Sequence, residues 1–162
     1  MAKEESKLQE LKENYLRIQK KNNLPSFDEL NQDFHIEKLC EIETDYLIRE
    51  IRKFLSDKLQ NYARFIETLL NPTNASMFIF SIIKTINEDD KKILTDVYKK
   101  LTRLEVDLID LDVEFSEEKE YKFVRNFYEI WKEIKKDMLR ILDSIKTNWD
   151  KEIEKNSKAY FG

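Results

Sequence analysis

The sequence predicts an all-α fold, an elongated antiparallel helical bundle, on three observations. The only glycine is the terminal Gly162, so hairpins and tight turns have no internal glycine to draw on. Lys, Glu, Leu and Ile dominate, which is the composition of long helices. Apolar residues recur at three- and four-residue steps along most of the chain. The expected parts are two long helices, two shorter ones and a short central apolar helix. All belong to one domain of 162 residues.

The first element follows from Leu8, Leu11, Tyr15 and Ile18, whose 3-4-3 spacing marks a narrow apolar stripe from about Glu4 to Lys21. A stripe that narrow suits a helix laid on a surface or in a coiled-coil seam. With glycine missing, asparagine must take the helix ends, and Asn22 and Asn23 fall where the first helix should stop. Pro25 follows, and Ser26 with Glu29 three residues on reads as a capping box opening a short helix.

A long helix is expected next, from about Ile36 to Leu70, capped by Asp33. At 100° per residue, Leu47, Ile51, Leu55, Leu59, Tyr62, Ile66 and Leu69 share one broad arc, enough to touch two neighbours. Opposite lie Arg49, Lys53, Ser56, Gln60, Arg64 and Glu67, which read as solvated.

Asn71 to Ile83 is the one long stretch without a charge in a chain that is 38% charged. Asn71-Pro72 breaks the preceding helix, and Thr73 or Asn74 can cap the next. That next helix carries Met77, Phe78, Ile79, Phe80, Ile82, Ile83 and Ile86. A helix apolar almost all round must be covered on several sides, as a core helix or shared with a partner. It is too short to span a bilayer, which takes about 20 apolar residues.

Asn87 followed by Glu88, Asp89 and Asp90 is a start signal, a cap with acids in the first turn. Leu94, Val97, Tyr98, Leu101, Leu104, Leu108 and Leu111 carry that helix to about Asp112. Leu111 to Phe115 alternates like a strand, but no second strand exists to pair with it, so it reads as a fraying end. Ser116 opens the last helix, with Glu117, Glu118 and Glu120 near its N-terminal dipole. Phe123, Phe127, Trp131, Ile134, Met138, Ile141, Leu142, Ile145, Trp149 and Ile153 carry it to about Lys155, with 156–162 a short tail. It and the helix from Ile36 are expected to pair antiparallel.

Chemistry is constrained by what the chain lacks. A di-metal carboxylate bundle needs Glu-x-x-His on two helices, and the only histidine, His35, has Gln32 three residues before it. A lone Cys40 rules out an intramolecular disulfide and a cysteine-based zinc site, and it falls on an apolar arc as an inert thiol. No glycine-rich phosphate loop is available. Asp107, Asp110 and Glu114 share one face at i, i+3 and i+7, amid eight acids against one base, Lys119, from Leu104 to Glu120. A divalent cation is conceivable there, but one helix face supplies too few ligands for a closed site, so a solvated acidic face is expected. With a net charge of −4, and acids interleaved among the lysines, nucleic acid is not expected as a partner. The alternative reading is an accessory subunit of a nucleic-acid-handling complex, with Arg49, Lys53 and Arg64 as the candidate basic surface.

Leu24 to Asn31 (LPSFDELN), Asn71 to Lys84 (NPTNASMFIFSIIK) and Lys158 to Gly162 (KAYFG) resemble a family of small all-helical archaeal proteins. The resemblance runs the length of the chain and implies a cytoplasmic archaeal protein; it implies no activity. The residues therefore point to a non-enzymatic protein–protein interaction module that self-associates, or binds an unknown protein. Met77, Phe78, Phe80 and Ile83 are its candidate interface. No catalytic residue, metal, cofactor or membrane span is expected. Phe78 and Phe80 stand about 200° apart at 100° per residue, so one is expected in the core and the other at the partner.

Overall fold

The computed structural model describes the backbone of residues 2–73 and 75–160, and the side chains of residues 5–73 and 75–151. The fold is all-α. Among the described residues, six α-helices and one 3-10 helix follow one another: α1 (Ala2–Asn22), α2 (Phe27–Phe34), the 3-10 helix Ile36–Glu41, α3 (Leu47–Leu70), α4 (Met77–Thr85), α5 (Glu88–Val113) and α6 (Glu117–Tyr160). Of the residues named above, Asn74 and Gly162, and the side chains of Glu4, Ile153, Lys155 and Lys158, lie outside the described set.

The chain divides into two compact units. One comprises Met1–Gln60 with Leu104–Ile130, the other Asn61–Arg103 with Trp131–Gly162, so α3, α5 and α6 each supply residues to both.

In the first unit, α1 buries Leu11 and Tyr15 and ends as its asparagines foretell. Asn23 turns left-handed at φ 51°, and the Leu24 amide reaches back to the Gln19 carbonyl at 3.2 Å. That six-to-one bond is the Schellman closure, made here with asparagine in the position glycine usually holds. Leu24 is buried beneath it. The Tyr15 hydroxyl donates to the Pro25 carbonyl at 2.6 Å, and burial holds its pKa well above the usual phenol range. The ring packs edge-on against Phe27 at 5.8 Å.

The capping box forms as expected. The Glu29 amide donates to Ser26 Oγ at 3.2 Å, and the Ser26 amide donates to Glu29 Oε2 at 2.7 Å. Ser26→Ala is therefore expected to destabilise the protein by about 1 kcal/mol. Urea denaturation should show the loss as a lower midpoint with an unchanged slope.

The single helix expected from Ile36 to Leu70 does not form; α3 begins at Leu47. Three local features interrupt it. His35 closes α2 in the left-handed conformation at φ 54°, donating its amide to the Asn31 carbonyl, so Asp33 lies inside α2 and caps nothing. Asn31 then brackets the 3-10 turn, its Oδ1 accepting the Glu37 amide at 2.9 Å and its amide donating to the Glu37 carboxylate. Beyond Glu41, Ile42 is extended, and Thr44 Oγ1 accepts the Tyr46 amide at 3.0 Å. A hydroxyl that satisfies the backbone locally competes with the helical ladder. Apolar spacing that continued through this stretch concealed the break.

The core of the first unit joins Phe34 to Phe127 at 5.5 Å and Phe127 to Phe123 at 5.9 Å, with Leu30, Leu55 and Leu104 fully buried. Ser56, expected in solvent, is buried instead. Its hydroxyl donates to the Arg52 carbonyl at 2.7 Å, so its burial leaves no polar group stranded.

In the second unit, α5 and α6 are antiparallel: Lys100 meets Glu133 at 2.8 Å, and Ser144 donates to Asp90 at 2.7 Å. Asn87 caps α5 through Oδ1, which accepts the Asp90 amide at 2.8 Å. The α3 and α6 helices do not pair antiparallel. Arg52 faces Glu120 and Tyr62 faces Trp131, so residue numbers rise together along both. α6 also continues past Lys155 to Tyr160, taking in residues expected in the tail.

Candidate functional site

Three places merit a functional reading: the apolar face of α4, a buried carboxylate in the first unit, and two shallow cavities along α1. In α4, Ser76 is the cap rather than Thr73 or Asn74; its Oγ accepts the Ile79 amide at 3.4 Å. The helix buries Ile82, Thr85 and, at its end, Ile86. The Asn148 side chain donates to the Thr85 carbonyl at 2.9 Å, which fixes that face against α6.

The remaining candidates divide unevenly. Met77 is 83% exposed, Phe78 63% and Phe80 40%. Ile79 and Ile83 are half-buried. The expectation that one phenylalanine is core and the other surface is not met, since both are at the surface. Phe78 lies one turn before Ile82, but its ring meets that of the half-exposed Trp149, at 6.0 Å. The core-facing side of α4 is defined by Ile82 and Ile86, and its first turn carries the uncovered residues. Trp149 is one heptad beyond Leu142, which is itself exposed, so the apolar surface continues onto α6.

The buried carboxylate is Glu120, only 1% exposed, in the first turn of α6. Arg52 Nε lies 2.8 Å from its Oε2, and Arg49 Nε lies 3.9 Å from its Oε1. The Arg52 contact is close but out of line, so neither oxygen accepts a well-formed hydrogen bond. Burial pushes the Glu120 pKa above the ordinary carboxylate value, although both arginines pull the other way. Arg52 Nη1 reaches on to Asp112 at 3.3 Å, and the Arg49 guanidinium stacks 4.2 Å from the Phe115 ring and 5.3 Å from that of Tyr46. The cluster ties α3 to both sides of the α5–α6 turn. Sequence reasoning gave Glu120 a place near the helix dipole; its burial depends on packing that no local pattern records.

Of the candidate basic residues, Arg49 is thus engaged by Glu120 and two rings. Lys53 pairs with Glu50 at 2.8 Å, and Arg64 is exposed. On the acidic face, Lys119 Nζ sits 2.6 Å from Glu114 and 3.4 Å from Asp110, and these contacts raise the lysine pKa. The chain's own ammonium occupies the position a cation would take. Among the described residues, no group of three or more His, Cys, Asp or Glu is placed to hold a metal ion.

One cavity of about 370 Å³ is lined by Lys7, Glu10, Leu11, Leu39, Cys40 and Glu43 among others. A second, of about 320 Å³, is lined by Arg17, Tyr46, Glu117 and Tyr121 among others. Both share Asn14, Thr44 and Leu47. Tyr121 donates to Glu117 at 2.7 Å, and burial with that carboxylate pushes its pKa up to about 12. Cys40 is half-buried, and the lining around it contains no histidine to activate a thiol. His35 lies on the surface, 3.9 Å from Glu37.

The architecture defines an all-α helical bundle. No family model matches the chain, and no solved structure matches it. No helix among the described residues is long and apolar enough to cross a membrane.

Proposed function

We propose that this chain is a non-enzymatic helical interaction module that self-associates through the apolar face of α4. One observation carries the reading. Met77, Phe78 and Phe80 stand exposed on a helix whose flanks from Asn71 to Ile83 hold no charge. Charged surface is what keeps a monomer apart in water, and contiguous exposed apolar surface marks an interaction site. Trp149 beside Phe78 supplies a further aromatic anchor of the kind such contacts favour. A two-fold dimer is the commonest arrangement that covers such a face. The lone Cys40, and the resemblance to small helical archaeal proteins, support a cytoplasmic setting.

Phe78→Asp tests the reading. The ring is 63% exposed, so helix content and denaturation midpoint should stay near wild type, within about 0.5 kcal/mol. The mass in solution should fall to that of one chain. A variant that is folded and keeps the wild-type oligomeric mass overturns the assignment of this face.

A further inference from the structure

The C-terminal half of α5 has two apolar sides. Leu104, Leu108 and Leu111 are buried in the first unit, whereas Val106, Ile109 and Val113 are 53%, 62% and 81% exposed. Their i, i+3, i+7 spacing is that of a coiled-coil seam, with β-branched residues throughout. Every charged residue from Leu104 to Glu114 is an acid. Asp110, Asp112 and Glu114 remain 66%, 67% and 76% exposed even though Lys119 and Arg52 face them. Pairing this stripe with the same stripe of another copy would set acid against acid, which is unfavourable.

The chain also carries a stripe of opposite character. On α6, Leu139 is 58% exposed and Leu142 36%, at i and i+3. Lys135, Lys136, Arg140 and Lys146 surround them, against Asp137 and Asp143. We infer that the occupant of the α5 stripe is a second copy of this chain, presenting Leu139 and Leu142 of α6. Apolar seam meets apolar seam, and acidic borders meet basic ones. Borders of opposite charge select the partner and the register, while the seam supplies the affinity. The pairing joins two different surfaces: reciprocated it closes a dimer, and unreciprocated it extends a chain of copies. This inference rests on the self-association proposed above and names its second contact surface.

Sedimentation of charge-exchanged variants tests it. Glu105 and Asp110 border the α5 seam on its two sides, and Lys136 and Arg140 border the α6 seam on one side; Asp110, Lys136 and Arg140 are exposed. E105K/D110K and K136E/R140E should each raise the self-association constant for dissociation by about tenfold or more, through like charges at the borders. Mixing the two variants should restore a complex of wild-type affinity, because each seam again meets its opposite. Because both contacts are needed for association, Ile109→Lys, like Phe78→Asp, should leave a folded monomer. Restoration on mixing also shows that both double variants are folded. If either double variant associates like wild type, or the mixture fails to recover, the α5–α6 pairing is wrong. In that case wild-type association lost in Phe78→Asp alone leaves the α4 reading standing. A wild type that is monomeric at high concentration overturns both.

Discussion

Arg52→Met should destabilise the protein by about 3–5 kcal/mol, because it leaves the Glu120 carboxylate buried with its nearest counter-charge removed. The contact with exposed Asp112 adds little to that figure. The loss should depend on pH in a defined direction. Glu120 is already raised above the ordinary carboxylate value in the folded protein, so the fold holds its proton to higher pH than the unfolded chain does. Its contribution is therefore most favourable below the unfolded pKa, and declines as pH rises through the folded pKa. Removing Arg52 raises the folded pKa further, which widens the range over which ionisation opposes folding. The cost of Arg52→Met is expected to grow from mildly acidic pH toward neutrality. Glu120→Gln, which buries no charge, should cost less than Arg52→Met at neutral pH. Denaturation midpoints measured across pH check this; equal, pH-independent losses in the two variants contradict it.

Phe127→Ala should cost about 3–5 kcal/mol through lost burial and the cavity left behind. Phe127 is 1% exposed and is the ring shared by the Phe34 and Phe123 contacts at 5.5 and 5.9 Å. Against a typical total of about 5–15 kcal/mol, either change is a large fraction of the stability. Urea titration monitored by helix signal measures it. A midpoint within error of wild type contradicts the aromatic cluster as the centre of that core.

Much of the helical layout was legible because asparagine, serine and proline carry local geometry. Asn22-Asn23, the Ser26–Glu29 box and Asn87 each act through backbone contacts within a few residues, so the sequence is sufficient to find them. The interruption at Ile42–Tyr46 was not legible. It rests on the Asn31–Glu37 bracket and a Thr44 hydroxyl, while the apolar period runs on across it.

Surface assignment was less legible than helix position, because periodicity shows which residues share a face and not which face is covered. Phe78 lies on the Ile82 side of α4 yet remains 63% exposed, its ring against the half-exposed Trp149. Val106, Ile109 and Val113 had a helical spacing in plain sight, eclipsed by the stronger leucine stripe beside it. Glu120 looked like any first-turn acid. Its burial against Arg52 and Arg49 depends on residues far away in the chain.

The mass of the unmodified chain in solution, measured by light scattering over a range of concentrations beside Phe78→Asp, tests the central claim most directly. Self-association through α4 predicts a wild-type mass of at least two chains at high concentration, and a folded single chain for the variant. A wild type that remains one chain at the highest attainable concentration contradicts it.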